Sequence, residues 1–273
     1  MNGFKIGSVS IGDDEGLFLI AGPCVIESLE NCLQIADALV ELADNTGIGV
    51  IFKASFDKAN RSSVDRYRGP GLDKGLKILE TVRSKTGLAI TTDVHEPCQA
   101  EPVAQIVDAI QIPAFLCRQT DLLAGCAKTN KPVSVKKGQF VSPEEMANVV
   151  EKMRAFGNDK IMLTERGTFF GYNRLVNDFS GIATMQSLGC PVLFDATHST
   201  QQPGGLGTES GGQRKLAPVL AKAAVAAGAN GLFIETHPDP ENAMCDAACQ
   251  MPLEWLDKLV RQCMEIYQIV RTD

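Results

Sequence analysis

The sequence predicts an α/β protein: a (β/α)8 TIM barrel in a single domain over residues 1–273, with a short N-terminal β-hairpin within residues 1–16. Three observations carry that reading. Eight short β-rich apolar runs recur along the chain, amphipathic stretches of helical length separate them, and the long connections follow strands rather than helices.

Taken in order, MNGFKIGSVSIGDDEG alternates polar and apolar residues about a turn and reads as the hairpin. It has no basic stretch leading into an apolar one, so no secretory signal is expected there. LFLIAG (17–22) opens the barrel, and SLENCLQIADALVELADNTG follows as a helix that Gly47 closes. GVIFKAS, LAITTDV, DAIQIPAF, PVSVKK, KIMLTER, PVLFDAT and GLFIET continue the series. Each is apolar almost throughout, as expected of parallel strands covered on both faces. SPEEMANVVEKMRAFGN carries a helix start signal, with Ser142 as N-cap, Pro143 in the first turn and Glu145 three residues on. LEWLDKLVRQCMEIYQIV closes the ring. A doubly wound open sheet is the alternative, but no GxGxxG follows the first strand.

Helix-to-strand links are as short as TG (46–47) or GC (189–190). Several strand-to-helix links are long: FDKANRSSVDRYRGPG, GTFFGYNRLVND, HSTQQPGGLGTESGGQRK and HPDPENAMCDAACQMP. That asymmetry places the site at the C-terminal ends of the strands. GGLGTESGG lacks the GK[ST] ending of a P-loop and is taken as a flexible lid candidate.

Apolar residues make up 44% of the chain and charged residues 22%, ordinary values for a soluble enzyme. No apolar run approaches the length a membrane helix needs, so a cytoplasmic protein is expected. The net charge of −7 argues against nucleic acid or an anionic membrane as the main partner. Nine cysteines are scattered with no CxxC pair. Cys32, Cys126 and Cys263, in helix-like segments, read as buried core fillers.

Read as a barrel, the strand ends gather Cys24, Lys53, Asp93, Gln111, Lys136, Arg166, His198 and Glu235 into one mouth. A cationic set, Lys53, Lys58, Arg61, Arg118, Lys136 and Arg166, suggests a substrate with several negative charges. Lys137 and Lys74 fit rim lysines that snorkel to water. A second set joins Cys24, His198 and Glu235, from neighbouring strands, to Asp246 in the last loop. One thiolate, one imidazole and two carboxylates make a plausible divalent-metal site. Two other readings of Cys24 stand beside it: an inert core thiol, or a nucleophile paired with His198. His95 and His237 read as loop hydrogen-bonding residues.

AGPCVIES, FKASFDKANRSS, YRGPG, TDVHEP, IQIPAFLCRQTDLL, VSVKKGQF, LTERGTFFGYNRLVNDF, FDATHSTQQPGG and HPDPENAMCD closely resemble the 3-deoxy-D-manno-octulosonate 8-phosphate synthase family, in register from about residue 4 to 265. The related 3-deoxy-D-arabino-heptulosonate 7-phosphate synthases typically carry KPRTS where this chain has Lys58-Ala59-Asn60-Arg61-Ser62-Ser63. The resemblance implies condensation of phosphoenolpyruvate with D-arabinose 5-phosphate and water, releasing phosphate, on the way to a lipopolysaccharide sugar acid. The alternatives are the heptulosonate synthase reaction with erythrose 4-phosphate, a sugar-phosphate-binding barrel without turnover, and a thiol-nucleophile enzyme.

By the same resemblance Lys136, Arg166 and Arg118 hold the phosphoenolpyruvate phosphate. Lys58, with Lys53, Ser55 and Gln111, lies near its carboxylate and reacting carbons. Asn60 and Asp93 face the pentose, and Arg61 and Ser62 take its phosphate, arriving from a neighbouring subunit of a homotetramer. Cys24, His198, Glu235 and Asp246 match the ligands of the metal-dependent branch, implying zinc or iron, with manganese or cobalt as substitutes. Catalytic roles fall on His198, on Asp246 and Glu235 in deprotonating water, and on Lys58 as a proton donor of lowered pKa. One departure is Ala247, where relatives often carry a Gly suited to a left-handed turn.

Overall fold

The computed structural model describes residues 3–13, 15–205 and 211–271. Eight parallel strands form the barrel: β1 (Phe18–Gly22), β2 (Gly49–Lys53), β3 (Ala89–Asp93), β4 (Ala109–Ile112), β5 (Val133–Lys136), β6 (Ile161–Glu165), β7 (Val192–Asp195) and β8 (Gly231–His237). Each pairs with the next. β8 returns to β1 in the register Phe18↔Gly231 through Gly22↔Glu235, which closes the ring. Eight helices follow the strands: α1 (Leu29–Thr46), α2 (Leu72–Thr86), α3 (Ala100–Ile106), α4 (Thr120–Lys128), α5 (Met146–Ala155), α6 (Ser180–Gln186), α7 (Ala217–Ala226) and α8 (Leu256–Val270).

The apolar runs split by alternation. Ile51 of β2 points into the barrel with Phe18, Ile20, Met162, Leu193 and Phe233. Val50 and Phe52 point outward into the larger layer between strands and helices. Two-sided burial is why these strands read as continuous apolar runs. The antiparallel pair Phe4–Ile6 and Val9–Ile11 turns at Gly7, whose φ of +57° suits a tight hairpin. Ile6, Val9 and Ile11 plug the N-terminal end of the barrel interior. That end is filled, so the open end is the C-terminal one.

Helix starts follow the capping chemistry, with one offset. The Ser28 hydroxyl accepts from the Asn31 backbone N–H at the start of α1, and Gly47 ends it in the left-handed region. At α5 the reciprocal box forms: Ser142 N–H donates to Glu145 and Glu145 N–H donates to Ser142. The regular helix nevertheless begins at Met146, because turns of backbone around Pro143 precede it. α8 likewise begins at Leu256 after a 3-10 turn over Leu253–Trp255. Cys32, Cys126 and Cys263 are buried in α1, α4 and α8. Among the described residues no helix is long and apolar enough to cross a membrane.

Candidate active site

Seven of the eight strands deliver residues at or just past their C-terminal ends to one cavity of about 890 Å³ at the mouth, whereas Cys24, after β1, is fully buried and does not line it. Lys53, Asp93, Gln111, Lys136, Arg166, His198 and Glu235 all line it. Gly22 sets the spacing of the first two strands. A Cβ there would stand 2.0 Å from the Lys53 carbonyl oxygen, so only glycine lets β1 pass β2 this closely.

Buried charges in the mouth are matched rather than merely cationic. Lys53 Nζ donates to Ser55 Oγ at 2.8 Å and lies 3.4 Å from Glu235 and 3.6 Å from Asp93. Ser55 donates onward to Asp93. Lys136 Nζ donates to Asp195 at 2.5 Å and sits 3.6 Å from the centre of the Phe233 ring. Burial pulls Lys136 below the usual lysine value, with Asp195 opposing the fall and Lys53 adding to it. Arg166 donates through Nη2 to Gln201 at 2.7 Å. Its Nη1 is buried with no hydrogen-bond partner among the described residues. A buried guanidinium N–H left unpaired is costly, so Nη1 is a donor free to bond an anion that enters the cavity.

Two strands further round the ring lies a buried acceptor that is also without a partner. Glu235 Oε2 is buried without a hydrogen-bond partner among the described residues. It stands 3.6 Å from His198 Nε2, which is itself 3.7 Å from Asp246 Oδ2. Cys24 Sγ lies 3.7 Å from that same Asp246 oxygen. Burial alone would raise Glu235, yet His198 and the lysines Lys58, Lys53 and Lys136 bring it down to about 2. It is therefore a carboxylate at neutral pH.

Asp195, which sequence reasoning passed over, orients the histidine. It is fully buried; its Oδ2 accepts from His198 Nδ1–H at 2.7 Å and its Oδ1 from the His198 backbone N–H at 2.8 Å. A carboxylate on Nδ1 fixes the ring's orientation and turns Nε2 towards Glu235 and Asp246. Despite burial, His198 and Lys136 hold Asp195 well below the usual carboxylate range. The signal was legible as Asp-x-x-His spanning the end of β7. His198, Glu235 and Asp246 offer ligand atoms within 4.8 Å of one another, as do Cys24, Cys245 and Asp246, so the donor chemistry fits a divalent cation with Asp246 common to both groups.

The other assignments divide. Asp246 does lie beside His198 and adopts φ +45°, so the left-handed residue of this turn is Asp246 itself and not Ala247. Asn60, Arg61 and Ser62 line the cavity of their own chain, with Arg61 donating to the Tyr67 and Met244 carbonyls. Ser55 sits behind the wall, bonded to Lys53 and Asp93. Arg118 is exposed and does not line the cavity.

Lys58 lines the cavity, but its expected lowered pKa is overturned. Burial does pull it down, yet Cys24, Cys245, Glu235 and Asp93 hold it well above the usual lysine value. Its surroundings are anionic, not cationic. Lys137 does not snorkel. It is buried, 3.6 Å from Glu165, and donates to Thr168 at 3.0 Å and to the Val141 carbonyl at 3.2 Å. His95 pairs with Asp93 at 3.2 Å, and His237 with Glu27 at 3.4 Å. Residues 206–210 of the lid candidate lie outside the described residues. Cys245, also unremarked in the sequence, lines the cavity with its sulfur 2.7 Å from that of Cys24.

Residues 3–272 match the model of the DAHP synthetase I family. A 2-dehydro-3-deoxyphosphooctonate aldolase from Syntrophotalea carbinolica is 54% identical over 267 residues, covering 98% of this chain and 96% of that protein. Proteins of the same name from Protochlamydia amoebophila and Stenotrophomonas maltophilia are each 52% identical, covering 99% and 98% of this chain and 98% and 97% of their own lengths. The chain belongs to the DAHP synthetase I family, within its 2-dehydro-3-deoxyphosphooctonate aldolase branch.

Proposed function

We propose that this barrel condenses phosphoenolpyruvate with D-arabinose 5-phosphate and water, releasing phosphate and 3-deoxy-D-manno-octulosonate 8-phosphate, a lipopolysaccharide precursor. The observation that carries the reading is one cavity that holds both a buried donor and a buried acceptor without hydrogen-bond partners among the described residues, Arg166 Nη1 and Glu235 Oε2. The full-length likeness to aldolases of that name supports the same reaction.

Lys136 and Arg166 take the phosphoenolpyruvate phosphate, while Lys53 and Gln111 take its carboxylate. Asp93 and Asn60 meet the pentose hydroxyls, and Arg61 and Ser62 its phosphate. Holding both substrates in one frame removes much of the entropic barrier to joining them. C3 of phosphoenolpyruvate attacks the aldehyde carbon, and the Lys58 ammonium stands ready for the new alkoxide. An alkoxide is far more basic than any lysine, so a firmly protonated Lys58 still donates to it downhill. Water then adds at C2, its proton taken by Asp246 or Glu235, and the resulting hemiketal phosphate releases inorganic phosphate.

Cys24, His198, Glu235 and Asp246 are the residues that would hold a divalent metal, zinc or iron, with manganese or cobalt as substitutes. Such an ion supplies Lewis acidity to an aldehyde oxygen or acidity to water. A homotetramer is the assembly this reading carries, supported by the exposed Phe115, Phe140, Phe169, Phe170 and Tyr172. Cysteines kept as free thiols suit a cytoplasmic setting.

The test is phosphate release from phosphoenolpyruvate with each sugar phosphate, before and after chelation. Release with arabinose 5-phosphate, lost on chelation and restored by a divalent cation, supports both parts. Preference for erythrose 4-phosphate sinks the octulosonate reading. Release indifferent to chelator in metal-free protein keeps the condensation and removes the metal.

A further inference from the structure

Cys24 and Cys245 come from opposite ends of the sequence, yet their sulfurs are 2.7 Å apart. The contact is held by the backbone on both sides. The buried side chain of Gln250 accepts from the Cys24 backbone N–H at 3.3 Å and donates to the Cys245 carbonyl at 2.7 Å. One glutamine thus staples the segment after β1 to the loop after β8. Nothing in the proposed condensation uses the second thiol. Closing the pair to a bond length of about 2.05 Å needs less than an ångström of sulfur movement. Access is asymmetric: Cys245 lines the cavity, whereas Cys24 is fully buried behind it.

We propose that Cys24 and Cys245 form a redox-modification site that a hydroperoxide entering the cavity converts to a disulfide. Cys245 Sγ attacks the terminal peroxide oxygen, forming a sulfenic acid and releasing the alcohol, or water when the oxidant is hydrogen peroxide. Cys24 Sγ then attacks the sulfenic sulfur. The S–S bond forms, the S–O bond breaks, and the hydroxide leaves as water with the Cys24 proton. The two sulfurs lose two electrons and the peroxide gains them, so no further reactant is required.

The consequence for the donor cluster rests on the metal reading above; the cross-link itself does not. A disulfide sulfur carries no thiolate charge and is a poor ligand. Oxidation therefore withdraws Cys24 from the set shared with His198, Glu235 and Asp246. Exposed Cys98 serves as an internal reference for unselective oxidation.

The experiment treats reduced, metal-analysed protein with a stoichiometric amount of hydrogen peroxide, then alkylates, digests and weighs the peptides. Expected is a peptide containing Cys24 joined to one containing Cys245, two hydrogens lighter than their sum and separated by dithiothreitol. It forms before Cys98 is modified and is absent from Cys245→Ser. Metal released to a chromophoric chelator should rise in step with the cross-link, one ion per disulfide. Oxidation of Cys98 while both buried thiols stay alkylatable overturns the proposal. A full cross-link with the metal retained overturns the disarming step. Reduced, active protein that holds no metal removes the metal reading and leaves the cross-link to stand or fall on the peptide masses.

Discussion

Replacing Asp195 by Asn tests the geometry of the mouth at its most connected residue. The carboxylate is fully buried and bonded to Lys136 at 2.5 Å and to His198 Nδ1 at 2.7 Å. The amide keeps the shape and one acceptor but leaves the Lys136 ammonium buried without its counter-charge. Breaking a buried pair by removing one partner costs about 3–5 kcal/mol. The retained acceptor places this case near the lower end, about 3 kcal/mol, equivalent to a fall in Tm of roughly 6–12 °C for a chain of this size. The sign with pH follows from the depressed native pKa of Asp195. Its stabilisation is present above the unfolded carboxylate value near 4 and fades as pH falls below it, so the gap between parent and variant should narrow in acid. Loss of the partner on Nδ1 should also weaken metal binding by about 10–100-fold. Calorimetry at pH 7 and in mild acid, with a metal titration, reads all three. Asp195→Asn melting within a degree of the parent and binding metal as tightly would refute the clamp. Adding Lys136→Met should recover part of the Tm, since it removes the stranded ammonium.

Three further outcomes follow from other places in the fold. Lys137→Met strands Glu165, whose pKa burial already raises while Lys137 pulls it back. The variant should lose about 3 kcal/mol at pH 8, and less in mild acid, because the native state then takes up a proton that the unfolded chain does not hold; denaturant melts across pH show whether it does. Gly22→Ala drives a Cβ against the Lys53 carbonyl and should cost about 1–3 kcal/mol with a raised KM for phosphoenolpyruvate, whereas an unchanged KM would show that the strand spacing does not set Lys53. Burial pushes the thiols of Cys32, Cys126 and Cys263 up to about 12, so iodoacetamide at pH 8 should label exposed Cys98 well before any of them, as peptide mass spectrometry would reveal.

The barrel was legible because two-sided burial leaves a plain mark: Ile51 packs inside, Val50 and Phe52 outside, and the run has no polar gap. Closure then brings every strand end to one rim, so listing those ends already assembled most of the cavity wall. What escaped depends on contacts that no periodicity encodes. Lys137 follows Lys136 and looked like a second rim lysine, but the turn at Val141 and the short strand containing Thr168 fold over it. Lys58 looked like part of a cationic cluster because the acidic groups beside it, Glu235 and the thiols of Cys24 and Cys245, come from both ends of the chain. Cys245 sits in a loop, where only tertiary structure reveals that it meets Cys24.

Asp195 also links the two halves of the mouth, and the link is measurable. Its Oδ2 is shared between the lysine assigned to the phosphoenolpyruvate phosphate and the histidine assigned to the metal. A cation held at Nε2 makes the imidazole a stronger donor at Nδ1, so Asp195 is drawn towards His198 and its grip on Lys136 loosens. The ammonium is then freer to meet a phosphate. Metal should therefore tighten phosphoenolpyruvate binding, and by reciprocity phosphoenolpyruvate should tighten metal binding by the same factor. A coupling of about 1 kcal/mol, roughly fivefold in Kd, is the lower end of what such linkage delivers. Titration calorimetry with phosphoenolpyruvate, on metal-loaded and metal-stripped protein, measures it. The same cycle in Asp195→Asn should show the coupling gone, because an amide cannot trade charge between two cations. Equal coupling in parent and variant would mean that the two halves communicate by direct charge across the cavity and not through Asp195.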